Sequence, residues 1–200
     1  MLRLPISSFL LMLILLLMPS RHPVEPVRPK PEEKKKVESY HHIDNFVLST
    51  VGTKKKPYAK KVSSYIVKYS NKYNVPPELV AAVGYTESRF SMDSRPCVGV
   101  MQVYLPTYRN YDKKTGLDPY KLEDNIHLGV RELARYYHAR GMVSRGGDYR
   151  LRRTLSRYNG CGLNGAYVRK TLGLYNKLKE KKNGSNNSKP AVVRRRDSAR

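Results

Sequence analysis

The stretch VPPELVAAVGYTESRF, residues 75–90, decides how the rest of the chain is read. Two prolines open it, suited to a loop and a first helical turn after Asn74, which can cap, and the spacing predicts a helix from Leu79 to about Phe90. Leu79, Val83, Glu87 and Phe90 fall at i, i+4, i+8 and i+11, so one carboxylate shares the apolar face and points inward. Burial disfavours the ionised form, and an acid still protonated near neutral pH can donate a proton. The pattern suits a general acid. It also suits a structural glutamate paired with an arginine such as Arg89, and helical position alone does not choose between them. Gly84, one turn earlier, leaves a notch where a ligand or another backbone can approach closely.

Outward from this helix, the pattern is helical almost throughout. Val62, Ile66 and Tyr69, with Tyr65 and Tyr73 beside them, define an amphipathic helix from about Pro57. Further helices are expected over about 122–139, 149–158 and 166–182. DSRPCVG (93–99), YDKKTGLDPY (111–120) and NGCGLNG (159–165) read as loops. The 200 residues have room for one core with appendages. The fold class expected is mainly α, with a single catalytic-sized domain over 57–182.

The appendages differ in kind. Residues 1–20 join Arg3 to an unbroken apolar run, Phe9 to Met18, which reads as an export signal. Its length suits a signal peptide, but no A-x-A cleavage pattern follows, and Leu2 and Leu4 could extend it into a short membrane anchor. Residues 21–56 read as a Pro/Lys-rich linker, either an extended stalk or a tail with no spacing role. His41, His42 and Asp44 lie within it, but with no second cluster at ligand spacing a metal is not expected. Residues 183–200 read as a disordered basic tail.

The net charge of +23 calls for an anionic partner: a wall polymer, an acidic membrane surface or nucleic acid. No nucleic-acid motif accompanies the charge, and the export signal leads away from that partner. Two cysteines, Cys97 and Cys161, form neither a C-x-x-C pair nor a disulfide scaffold; one bridge and two buried thiols both remain open.

Five segments in one order carry a resemblance: VPPELVAAVGYTESRF, CVGVMQV, LEDNIHLGVRELARYY, SRYNGCG and AYVRKTLGLYNKL. Over roughly residues 58–180 the chain resembles the soluble lytic transglycosylase domain, a relative of goose-type lysozyme. That resemblance implies a lysozyme-like helical fold whose groove takes glycan strands of peptidoglycan, with no cofactor. It implies that Glu87 is catalytic acid and base, breaking the β-1,4 bond between N-acetylmuramic acid and N-acetylglucosamine without water to leave 1,6-anhydro ends. Ser88 would lie beside the acid or the acetamido group, Gln102 would bond sugar, and Met101 would form an apolar wall. Tyr158 would orient the acid, Asn159 would bind the acetamido group, and Tyr167 would stand over the groove. The loops holding Cys97 and Cys161 would meet beside the groove, where a bridge could form.

The chain departs from the family pattern at Cys97, Val98 and Arg157. Competing readings are a hydrolytic muramidase, for which no second carboxylate stands out, and a non-catalytic glycan-binding or structural protein of a virion or secretion apparatus. Export to the periplasm or wall space, with or without a membrane anchor, and a monomeric state complete the expectations.

Overall fold

The computed structural model describes residues 40–93, 97–140, 146–160 and 162–187. Among the described residues six helices carry the fold: α1 His41–Val51, α2 Lys56–Tyr73, α3 Pro77–Ser88, α4 Leu122–Tyr137, α5 Gly147–Asn159 and α6 Ala166–Asn187. Short helical pieces, Leu105–Thr107, Tyr108–Asp112 and Lys113–Thr115, occupy part of the connection into α4. Among the described residues strand pairing is confined to one bridge between Val98 and Val103, so the fold is mainly α.

The centre is α3. Every residue from Pro77 to Gly84 is buried, and a helix with no polar side can only be surrounded. α1, α2 and α6 pack against it, α4 lies along α2, and α5 joins α4 to α6. Asn74 closes α2 in the left-handed conformation (φ 51°), and Pro77 opens α3.

The end of α3 is unusual. Arg89 and Phe90 both have positive φ, 53° and 63°, costing about 1 to 2 kcal/mol each for residues with a Cβ. Burial of the Phe90 ring, fully inaccessible, returns about 2 to 3 kcal/mol, enough to offset much of that. The ring lies against Gly84, where an added Cβ would stand 3.1 Å from Phe90 Cε1. The notch at Gly84 is thus filled by the chain's own phenylalanine and by Val100, and a ligand does not enter there.

The linker expected to run to residue 56 stops short of it: from His41 the chain is helical, and Ile43 and Val47 are fully buried. Phe46 extends the contact to Tyr85 and Phe90, with ring centroids 5.4 and 5.7 Å away. His42 is not a metal ligand in waiting. Its Nε2 lies 3.0 Å from Glu78 Oε1, with both side chains 5% exposed, and Lys182 Nζ stands 3.7 Å from the same oxygen. Burial would push the Glu78 carboxyl up, but the His42 hydrogen bond, a backbone hydrogen bond and the Lys182 charge together hold it below its ordinary range. The groups join α1, α3 and α6. At the other end α6 runs to Asn187, past the boundary expected at 182, so the basic tail begins as helix.

The apolar run of residues 1–20, the linker as far as 39, Cys161 and residues 188–200 lie outside the described residues. Among the described residues no helix is long and apolar enough to cross a membrane, and no group of three or more His, Cys, Asp or Glu could hold a metal ion.

Candidate active site

Glu87 occupies the last turn of α3, where the packed core gives way to a groove. Tyr167, from α6, donates its hydroxyl to Glu87 Oε1 at 2.6 Å. The crossing of the two helices is fastened one turn away by Thr171 Oγ1 and Thr86 Oγ1, 3.2 Å apart. Burial raises the Glu87 carboxyl above the usual carboxylate range, and the Tyr167 bond draws it only partly back. The negative end of the α3 dipole acts in the same direction as burial. Tyr167→Phe removes a bond to the ionised form, so the Glu87 pKa is expected to rise further. An NMR titration of the labelled carboxyl reads this, and an unchanged or lowered pKa would contradict it.

Facing Glu87 is the turn Val98–Val103. Its ends pair by Val98 N–H to Val103 O (3.0 Å) and Val103 N–H to Val98 O (2.8 Å). Gly99 (φ 72°) is required there, because a Cβ would fall 2.4 Å from Asn125 Nδ2. Asn125, fully buried on α4, donates to Val98 O and Pro119 O at 2.8 Å each, and its Oδ1 accepts the Met101 N–H at 3.0 Å. Ser88 Oγ donates to Val100 O at 2.8 Å, and Tyr158 Oη donates to Met101 O at 2.8 Å. Three helices therefore hold this one turn.

Several expected contacts are redistributed by this arrangement. Met101 is completely buried and forms no wall: its side chain packs where Gly129 lacks one, a Cβ there falling 2.2 Å from Met101 Cβ. Its backbone carbonyl is the part that serves the site. Ser88 braces the turn through Val100. The hydrogen bond to the acid comes from Tyr167, whereas Tyr158 bonds the turn and feels Glu87 only through its charge. Gln102 lines the groove in a left-handed conformation (φ 48°), its Nε2 donating to Gly99 O at 2.8 Å and Asp93 O at 3.2 Å. Asn159 is exposed at the groove edge. Cys97 is a free thiol lining the groove, pushed up by burial and then by the Glu87 charge; its expected partner, Cys161, lies outside the described residues.

The groove has a cavity volume of about 390 Å³. Glu87 and Cys97 meet in it with Gln102, Leu128 and Gly129 of α4, and Tyr158 and Asn159 of α5. A family model, the transglycosylase SLT domain, matches residues 64–183, which span both the inward carboxylate and the glycine-glutamine turn opposite it. The chain belongs to the transglycosylase SLT domain family. No solved structure matches the chain. Membership carries a general function, action on peptidoglycan of the lytic transglycosylase type.

One residue of this SLT domain's groove escaped the sequence reading. Glu132, on α4, lines the same cavity as Glu87, with its side chain 25% exposed. Its Oε1 accepts from Arg135 Nη2 at 2.5 Å, and that guanidinium nitrogen also donates to Tyr136 Oη at 3.0 Å. In the sequence Glu132 and Arg135 look like an ordinary i, i+3 pair on a solvated face. The available signal was Gly129: a glycine one turn before marks the face of α4 that approaches the turn, and Glu132 shares that face.

Proposed function

We propose that the chain is an exported lytic transglycosylase that cleaves the N-acetylmuramoyl-β-1,4-N-acetylglucosamine bond without water. Glu87 acts first as general acid, protonating the leaving O4, and then as general base for the muramoyl 6-hydroxyl, which closes the 1,6-anhydro ring. The observation that carries this reading is Glu87 itself: a desolvated carboxyl with a raised pKa, bonded by Tyr167 and opening on the groove. A carboxyl raised in this way keeps its proton to higher pH than an ordinary one and can deliver it, an effect typically worth about 10² to 10⁴ in rate.

Gln102 and Asn159 both line the groove, where the Gln102 Oε1 and the Asn159 amide can meet sugar hydroxyl and acetamido groups. Tyr158 and Ser88 support the site from behind by holding the turn. The excess of basic residues suits a wall space containing anionic polymers, where the apolar N-terminal run would deliver the chain.

The test is mass spectrometry of fragments released from purified peptidoglycan. Muropeptides ending in 1,6-anhydro-N-acetylmuramic acid are expected as the principal product. Reducing ends alone would make the protein a muramidase, and a folded protein that releases nothing would be a glycan binder.

A further inference from the structure

We propose that Glu132 is a second reacting carboxylate of the groove, which activates water and diverts a share of the cleavage events into hydrolysis. The inference rests on the transglycosylase reading of Glu87 and adds a branch to it. Two carboxylates from different helices, α3 and α4, line one cavity. The buried Tyr158 phenol is raised by burial and then by the charges of Glu87 and of Glu132, so it lies within the field of both. Enzymes that hydrolyse glycosides place two such groups about the scissile bond, one giving a proton and the other working through water.

The two environments divide those tasks. Glu87 is desolvated and its carboxyl is raised above the ordinary carboxylate range, whereas Glu132 is ion-paired with Arg135 and oriented by it. One oxygen, Oε1, is committed to Arg135; a carboxylate has lone pairs on both, so the pair leaves capacity to accept a bond from water. Gly129, one turn earlier on the same face of α4, lines the groove beside Glu132.

In the hydrolytic branch the C1–O4 bond breaks with its electron pair going to O4, which takes the Glu87 proton. The oxygen of a water molecule bonds to C1 as one of its protons passes to Glu132. Glu87 is left anionic and Glu132 protonated, and exchange with solvent restores both. The 6-hydroxyl competes with water for the same anomeric carbon, so the ratio of reducing to 1,6-anhydro ends measures the partition.

The experiment uses the full chain on sacculi first treated with borohydride, which removes pre-existing reducing ends. The wild type is expected to release a measurable minority of reducing ends beside the anhydro products. Glu132→Gln should lower their share of total ends at least tenfold, while Glu132→Asp, which keeps a carboxylate, should retain more of that share than the glutamine variant. Anhydro ends alone from the wild type would overturn this inference and leave the transglycosylase reading standing. An unchanged share in Glu132→Gln would overturn it too, as would equal losses in the glutamine and aspartate variants. Absence of any product from folded wild type would overturn both readings together.

Discussion

Glu87→Gln is expected to lower the rate of glycan cleavage by at least three orders of magnitude without weakening the fold. A single proton transfer is worth roughly 10² to 10⁴, and in the proposed reaction the same carboxyl serves twice, first giving a proton and then taking one. Glutamine keeps the size and can still accept the Tyr167 hydroxyl, but it does neither task. The stability half of the expectation follows from the direction of the pKa shift. A carboxyl raised in the folded state contributes most to stability at low pH, below its unfolded pKa, and that contribution is lost as pH rises through the folded value. Near neutral pH the neutral amide therefore avoids a charge that the folded site disfavours. Fragment release from sacculi and a thermal melt measure the two halves. Activity within tenfold of wild type would remove Glu87 from the chemistry, and a collapse of the melt would make its role structural.

The largest expected loss of stability comes from a residue that does not touch substrate. Asn125→Ala should cost about 2 to 4 kcal/mol, because each buried polar group left without its partner costs about 1 to 3 kcal/mol and two are orphaned at once. They are the carbonyl of Pro119 and the N–H of Met101, whereas the Val98 carbonyl loses one of two bonds and keeps the Val103 N–H. Neighbour relaxation keeps the total below a simple sum. Urea unfolding at constant pH measures it, and a loss under about 1 kcal/mol would mean that the turn has other support. Binding of glycan fragments should weaken in parallel, since the turn presents Gln102 to the groove.

These two residues also mark what could be read in advance. α3 was legible because an apolar run without a polar face, opened by prolines, has one location in a small helical domain. Glu87 was legible because a carboxylate on that run is out of place. α1 was missed: among prolines, lysines and histidines its fully buried apolar residues are only Ile43 and Val47, an i, i+4 pair too sparse to stand out in the 11-residue helix. Its attachment depends on Glu78, a partner 36 positions away from His42. The two tyrosines illustrate a different limit. Tyr158 was expected to orient the acid and Tyr167 to stand over the groove, yet which one bonds the acid depends on how α5 and α6 cross the central helix, and periodicity within either helix carries nothing about that crossing. Glu132 was concealed by Arg135, since a paired charge on a helix of mixed charge looks solvated until the opposite wall is seen.

The turn that carries Gln102 is held by side chains of Ser88, Asn125 and Tyr158, which belong to three helices of the core. A loop tied to separate elements in this way has no hinge of its own, and it cannot melt ahead of the domain. The site's ordering entropy is therefore met during folding rather than at each encounter with a glycan strand. Heat would leave the groove fully formed until the helices themselves part.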